Sequence, residues 1–179
     1  METRDKTEIL DALRRGQQAF LDALDGVPED FAATRPGPGR WSALECAEHV
    51  AVSEDFLFSQ LIQARPAGVP VVNPQREAGI LARGADRTHP GVSPEVVRPT
   101  GRFSTLADAL RHFLQSRAGT VRFVENCAED LRSRLTTHPL LGPVNGYETL
   151  LLMAVHPHRH ARQIDEIGAA VWRAPHLPS

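Results

Sequence analysis

Ile9, Leu10, Leu13, Phe20, Leu21 and Leu24 recur at three- and four-residue intervals, and Gln17 alone interrupts the apolar stripe. That period predicts an amphipathic helix over about residues 4–25. The cluster Arg35-Pro36-Gly37-Pro38-Gly39 cannot continue it and reads as a connection. Ser42 with Glu45 three positions later matches a capping box, and Leu44, Ala47, Val50, Ala51, Leu57, Phe58, Leu61 and Ile62 carry a second helix toward Pro66. His49 falls inside it.

From 66 to 102 the chain has 37 residues, six of them proline and five glycine, with little usable periodicity. A connection beyond ~15 residues is uncommon in a compact domain. The segment is read as a long loop: a mobile excursion, a functional cover, or a stretch hiding a short helix. Leu106, Leu110, Phe113, Leu114, Val121, Val124, Leu131 and Leu135 predict a third helix of roughly thirty residues behind the cap Ser104. Pro139, Gly142 and Pro143 end that pattern. Asn145 and Glu148 then form a second capping box, opening a fourth helix to about Trp172. No strand is predicted. Four amphipathic helices bury their stripes against one another, so the expected fold is an all-α four-helix bundle in one domain over 1–172, with 173–179 as a tail.

The 179 residues carry 20 basic and 22 acidic side chains, a formal charge of −2, which argues against nucleic acid as a partner. The longest purely apolar run, Leu150 to Val155, is far shorter than the ~20 residues of a membrane span, and the N-terminus has no hydrophobic signal core. A cytoplasmic protein is expected. Cys46 and Cys127 form no Cys-x-x-Cys pair and read as small apolar residues.

Candidate chemistry rests on histidine. His156 and His160, four apart, can turn their imidazoles toward one ion from one helix face. Chance placement of 8 histidines in 179 residues already gives about 0.36 such pairs. Spacing therefore leaves open the plainer reading, half-buried histidines bonded to backbone carbonyls. Position adds that the pair sits midway along the fourth helix and His49 within the second, where facing helices can bring all three together. His158 lies about 200° from His156 and points elsewhere. His89, His112, His138 and His176 have no partner at ligand spacing and read as surface. Glu48, Glu54 and Asp165 are carboxylates near the cluster, read as solvated helix residues, and Arg159 and Arg162 read as surface charge. Pro157 is the exposed point, since within a helix it removes the bond to the Met153 carbonyl and costs ~3 kcal/mol or a kink. Were the helix to restart at Pro157, His156 would become its cap and the shared face would be lost. The expectation is a kink with the cluster retained.

Trp41-Ser42-Ala43-Leu44-Glu45 with His49 beyond it, the segment His138-Pro139-Leu140-Leu141-Gly142-Pro143, and Leu150 through Ile164 with its His-x-x-x-His-x-x-Gln-Ile ending resemble the DinB/YfiT-like superfamily. The resemblance covers nearly the whole chain. It implies an up-down-down-up four-helix bundle with a divalent metal, nickel or zinc and also manganese, held by His49, His156 and His160. Gln163, three residues past His160, is read from its spacing as orienting a ligand or packing at the helix interface. Three neutral imidazoles leave a coordination position open, the catalytic pattern, which suits activation of water or of a thiolate. Members resembling this chain include metal-dependent hydrolases and enzymes using low-molecular-weight thiols, such as bacillithiol or mycothiol transferases and maleylpyruvate isomerase. The expected partner is a small-molecule substrate or thiol cofactor. The alternative is a non-catalytic helical binding or stress-associated protein, acting as a homodimer.

Overall fold

A computed structural model describes residues 1–88 and 92–173. His89, His176 and the tail beyond Arg173 lie outside the described residues. Four long helices, α1 (Thr3–Asp25), α2 (Ala43–Ile62), α4 (Leu106–Asn126) and α5 (Gly146–Val171), form the bundle, and a short α3 (Pro74–Arg83) lies against α5. Among the described residues no helix is long and apolar enough to cross a membrane.

Buried apolar side chains divide into two clusters. Phe20 and Leu24 of α1, Ala47 and Val50 of α2, Ala109 and Phe113 of α4, and Ile164 and Ile167 of α5 form one. Ile9 and Leu13, Leu57 and Leu61, Val124, and Leu150, Leu151 and Met153 form the other. Chain order through the clusters gives helix direction: α1 and α5 run one way, α2 and α4 the opposite way, which is the up-down-down-up arrangement. Parallel neighbours cannot be joined by a tight turn, so α2 reaches α4 only through the long segment between them.

That segment is partly ordered into secondary structure. Asn73 accepts from the Arg76 backbone N–H and Pro74 occupies the first turn of α3, both helix-start signals, although only Ile80 of this helix is buried. A single 3₁₀ turn, Glu95–Val97, follows. The hidden short helix is thus present, and the plain loop reading of 66–102 is corrected accordingly.

The third predicted helix is too long by about nine residues. It starts behind Thr105, whose hydroxyl accepts from the Asp108 N–H, rather than behind Ser104, and ends at Asn126. Leu131 is still fully buried, but in a 3₁₀ turn (Leu131–Ser133) whose Arg132 N–H is capped by the Asp130 carboxylate. An antiparallel sheet then follows, β1 (Arg65–Pro66), β2 (Arg134–His138) and β3 (Gly142–Asn145), in the order β1-β2-β3. No strand was expected there. The β-branched pair Thr136 and Thr137 and Gly142, at φ 68° where β3 leaves the turn, favour a hairpin once the helix has been stopped.

Both predicted capping boxes are present, Ser42 with Glu45 and Asn145 with Glu148. They fix where α2 and α5 begin, and so the rotation at which each helix presents its histidines.

Candidate metal centre

α5 runs unbroken from Gly146 to Val171 with Pro157 inside it. The Met153 carbonyl that Pro157 leaves without a helical donor accepts instead from Arg117 Nη2 at 2.8 Å. Arg117, 1% exposed, also donates to the Leu13 carbonyl at 3.0 Å and makes two 2.8 Å bonds to the Glu54 carboxylate, which takes a further bond from Thr120. One guanidinium therefore joins all four long helices at the level between the two apolar clusters. Gly16 lies at the same level, where the Ala154 carbonyl occupies the space a Cβ would need.

Helical backbone continues through His156, so His156 and His160 share a face, and His49 meets them from α2. One ring nitrogen from each lies within 4.8 Å of the others. The His156 Nε2 is 3.1 Å from the Nε2 of both His49 and His160. His49 and His160 are each 5% exposed, and His156 is partly exposed. Trp41 lies against the His49 ring with centroids 4.9 Å apart and stacks on His160 at 6.3 Å.

Hydrogen bonding sets the protonation pattern. The Val97 carbonyl lies 2.7 Å from His49 Nδ1 and can only accept, so Nδ1 carries the proton and Nε2 presents a lone pair inward. Burial pushes the pKa of His49 below the ordinary histidine value against the opposing effect of that bond. His156 is pushed well below it by burial, then by His49 and Arg159, and His160 by burial, then by His156, His49, Arg87 and Arg159. Three neutral imidazoles with converging nitrogens repel one another unless something electropositive stands between them. One proton on His156 Nε2 can serve only one neighbour well. A divalent cation satisfies all three, and the 3.1 Å edges are close to the ~3.3 Å separation of two nitrogens on a tetrahedral ion with ~2.0–2.1 Å bonds. The donor set therefore fits a metal of the nitrogen-preferring kind.

Several other residues near the cluster depart from their sequence reading, while Asp165 and Arg162 are exposed as read. Glu48 and Glu54 are not solvated: they are 1% and 3% exposed, each fully engaged with partners distant in sequence. Asp165 is exposed and pairs with Arg173. His112 bonds Asp55 at 2.6 Å, and the His138 Nδ1 accepts from the Leu140 and Leu141 N–H groups, so neither is a free surface residue. Arg162 is exposed and donates to the Ala85 carbonyl. The Gln163 Oε1 accepts from Arg87 Nη1 at 3.0 Å, and Arg87 also grips the Glu166 carboxylate, holding that group below the usual carboxylate range. Cys46 is fully buried and Cys127 half-buried; both are free.

Sequence reasoning missed Trp41 as a wall, Arg87 as a clamp and the Val97 carbonyl as an orienting acceptor. Trp41 was visible as an aromatic residue one position before a helix cap. A backbone carbonyl 48 positions from His49 has no sequence signal.

A helical bundle whose antiparallel members α2 and α5 bring three imidazoles together defines a candidate metalloprotein of the four-helix class. The family model of the DinB superfamily matches residues 12–164, and the chain belongs to that superfamily. Its fold is similar to TT2238, described as a four-helix bundle protein, at TM-score 0.58 and 20% identity over 90% of this chain and 98% of that one. It is also similar to YfiT from Bacillus subtilis, described as a probable metal-dependent hydrolase with an unusual four-helix bundle topology, at TM-score 0.59 and 15% identity over 94% of this chain and 88% of that one. No curated protein matches the chain.

Proposed function

We propose that the protein is a divalent-metal enzyme acting on a small molecule, as a hydrolase or as a transferase using a low-molecular-weight thiol, with His49, His156 and His160 as ligands. The observation that carries this reading is the convergence of three ring nitrogens with the His49 tautomer already set by Val97. Nickel or zinc suits three imidazoles best, with manganese the weaker candidate. Such an ion supplies a Lewis-acid position with at least one coordination site open to substrate, water or thiolate.

The chain's own residues supply the rest. Trp41 covers the His49 and His160 rings and limits access of bulk water from that side. Arg87 holds Gln163 through its amide oxygen, which leaves the Gln163 amide N–H groups to orient a bound ligand. A cleft of about 390 Å³, lined by Arg76, Gly79, Ile80, Arg83, Leu141 and Leu152, lies beside α5 one helical turn before His156, and none of the three histidines lines it. The hydrolase branch also draws on the description of YfiT, carried over as part of the proposal.

Metal analysis of protein purified without a histidine tag tests the reading, with His160→Ala alongside. About one nickel, zinc or manganese per chain in the wild type and a large loss in the variant is the expected result. Less than a tenth of an equivalent in both, after incubation with each metal, overturns it. Turnover of esters, amides and thiol adducts by the loaded protein then separates the two reaction classes.

A further inference from the structure

Glu48 precedes His49 on α2 and is 1% exposed, yet its carboxylate directs its hydrogen bonds away from the histidine rings. It faces the returning chain instead. Oε1 accepts the Thr100 backbone N–H at 2.7 Å and its hydroxyl at 3.4 Å, and Oε2 accepts the Gly101 and Arg102 N–H groups at 3.0 and 3.1 Å. The Arg102 guanidinium approaches to 3.8 Å. Gly101 has φ 81°, the left-handed conformation that lets consecutive N–H groups point at one anion. Three residues upstream of Thr100, Val97 is 4% exposed and its carbonyl accepts a hydrogen bond from His49 Nδ1 at 2.7 Å.

One turn of α2 thus provides both a ring of the cluster and the anchor for the segment that orients that ring. We propose that Glu48 is a positioning residue: by gripping Thr100–Arg102 it seats the Val97 carbonyl on His49, and so keeps His49 Nε2 unprotonated and directed at the metal position. The metal part of this inference rests on the proposed function; the latch and the tautomer belong to the metal-free protein. An amide at position 48 keeps the shape but turns one oxygen into a donor facing N–H donors, which releases at least part of the segment.

The test uses full-length wild type, Glu48→Gln, Glu48→Asp and Gly101→Ala, the last straining the same latch from the loop side without touching α2. In the metal-free proteins, amide exchange at 97–102 and the ¹⁵N signature of the His49 tautomer are read; Co(II) affinity is read by competition with a chelator. With helical signal and unfolding midpoint near wild type, Glu48→Gln is expected to speed exchange at 97–102, mix the His49 tautomers and weaken Co(II) binding by about 10–100-fold. Glu48→Asp recovers part of the affinity, and Gly101→Ala follows Glu48→Gln in direction. Wild-type exchange and an unchanged His49 tautomer in both Glu48→Gln and Gly101→Ala overturn the latch. Should Glu48→Gln fail to fold, Gly101→Ala decides by the same readings. Absence of Co(II) binding by the wild type defeats the metal reading alone, because exchange and tautomer still report on Glu48.

Discussion

Arg117 Nη2 stands 2.8 Å from the carbonyl oxygen of Met153, the acceptor four residues before Pro157. A proline inside a helix withholds one N–H and leaves that oxygen without its helical partner. Arg117 supplies the missing donor from a neighbouring helix, so α5 passes through Pro157 and keeps His156 and His160 on one face.

Arg117→Met is expected to destabilise the protein by about 3–5 kcal/mol, because it leaves the buried Glu54 carboxylate without its cation and the Met153 carbonyl without a donor. The second part is separable. In a Pro157→Ala background the helix supplies its own N–H to Met153, and Arg117→Met should then cost about 1 kcal/mol less. A double-mutant cycle in urea measures this coupling. Additivity of the two substitutions would show that Arg117 serves Glu54 and Leu13 only.

What could be read beforehand, and what could not, follows the range of each interaction. The capping boxes at Ser42 and Asn145 were legible because each closes within three residues. The bundle was legible because its apolar stripes recur over whole helices. Leu131 misled because it keeps helical spacing and is buried, but from a 3₁₀ turn, so the stripe was real and the backbone was not helical. α3 was foreseen only as a short helix hidden somewhere in 66–102, because Ile80 alone gives no period, although Asn73-Pro74 marks its start. Glu48 and Glu54 looked solvated since a carboxylate on a helix usually is; their partners lie 52 to 66 positions away. The His156–His160 pair was visible as a spacing, and His49 was joined to it by its place in the second helix and by the family resemblance; the distances among the three ring nitrogens needed α2 and α5 placed side by side.

Gly16 marks the closest approach of α1 to α5, since a methyl group there would run into the Ala154 carbonyl. Backbone cannot yield as a flexible side chain can, so the helices must part. Gly16→Ala should therefore destabilise by about 1–3 kcal/mol or more, even though alanine is the better helix former by about 1 kcal/mol. Gly119, on α4 with nothing within 4 Å of an added Cβ, is the control. Gly119→Ala should leave the protein as stable as wild type or more so, and thermal unfolding of the pair checks the contrast.

Asn145 caps α5 and also reaches outside it, its side-chain amide donating to the Val71 carbonyl at 2.9 Å. Asn145→Ala removes both bonds at a residue 2% exposed, leaving an N–H and a carbonyl to find water. The expected cost is about 2 kcal/mol, against about 1 for Ser42→Ala, whose oxygen bonds Glu45 within its own capping box. Equal losses in urea titrations would mean that the Val71 contact contributes nothing.

Acid should weaken the metal-free protein through the same histidines that would hold the ion. His49, His156 and His160 sit below the ordinary value of 6.5 in the folded chain, chiefly because burial disfavours the charged ring. The unfolded chain therefore binds more protons than the native one at pH values under 6.5, and stability falls with pH there. Well above that value all three are neutral in both states and the effect vanishes. Unfolding midpoints of metal-free wild type should thus be flat from about pH 8 to 7 and then drop toward pH 5. Replacing His156 by alanine removes one buried titrating ring and relieves its neighbours of a like charge, so the drop becomes shallower. Metal reverses the order of events. An ion at the cluster competes with protons for the same nitrogens, and ligand at about 1,000 times its dissociation constant adds about 4 kcal/mol to the folded state. Because few protons occupy these rings near neutrality, that increment should persist to lower pH than free imidazole would allow, fading only as the rings finally charge. A metal-dependent rise in midpoint that disappears already between pH 7 and 6 would mean that the three rings are solvated and protonate like histidines in an unfolded chain.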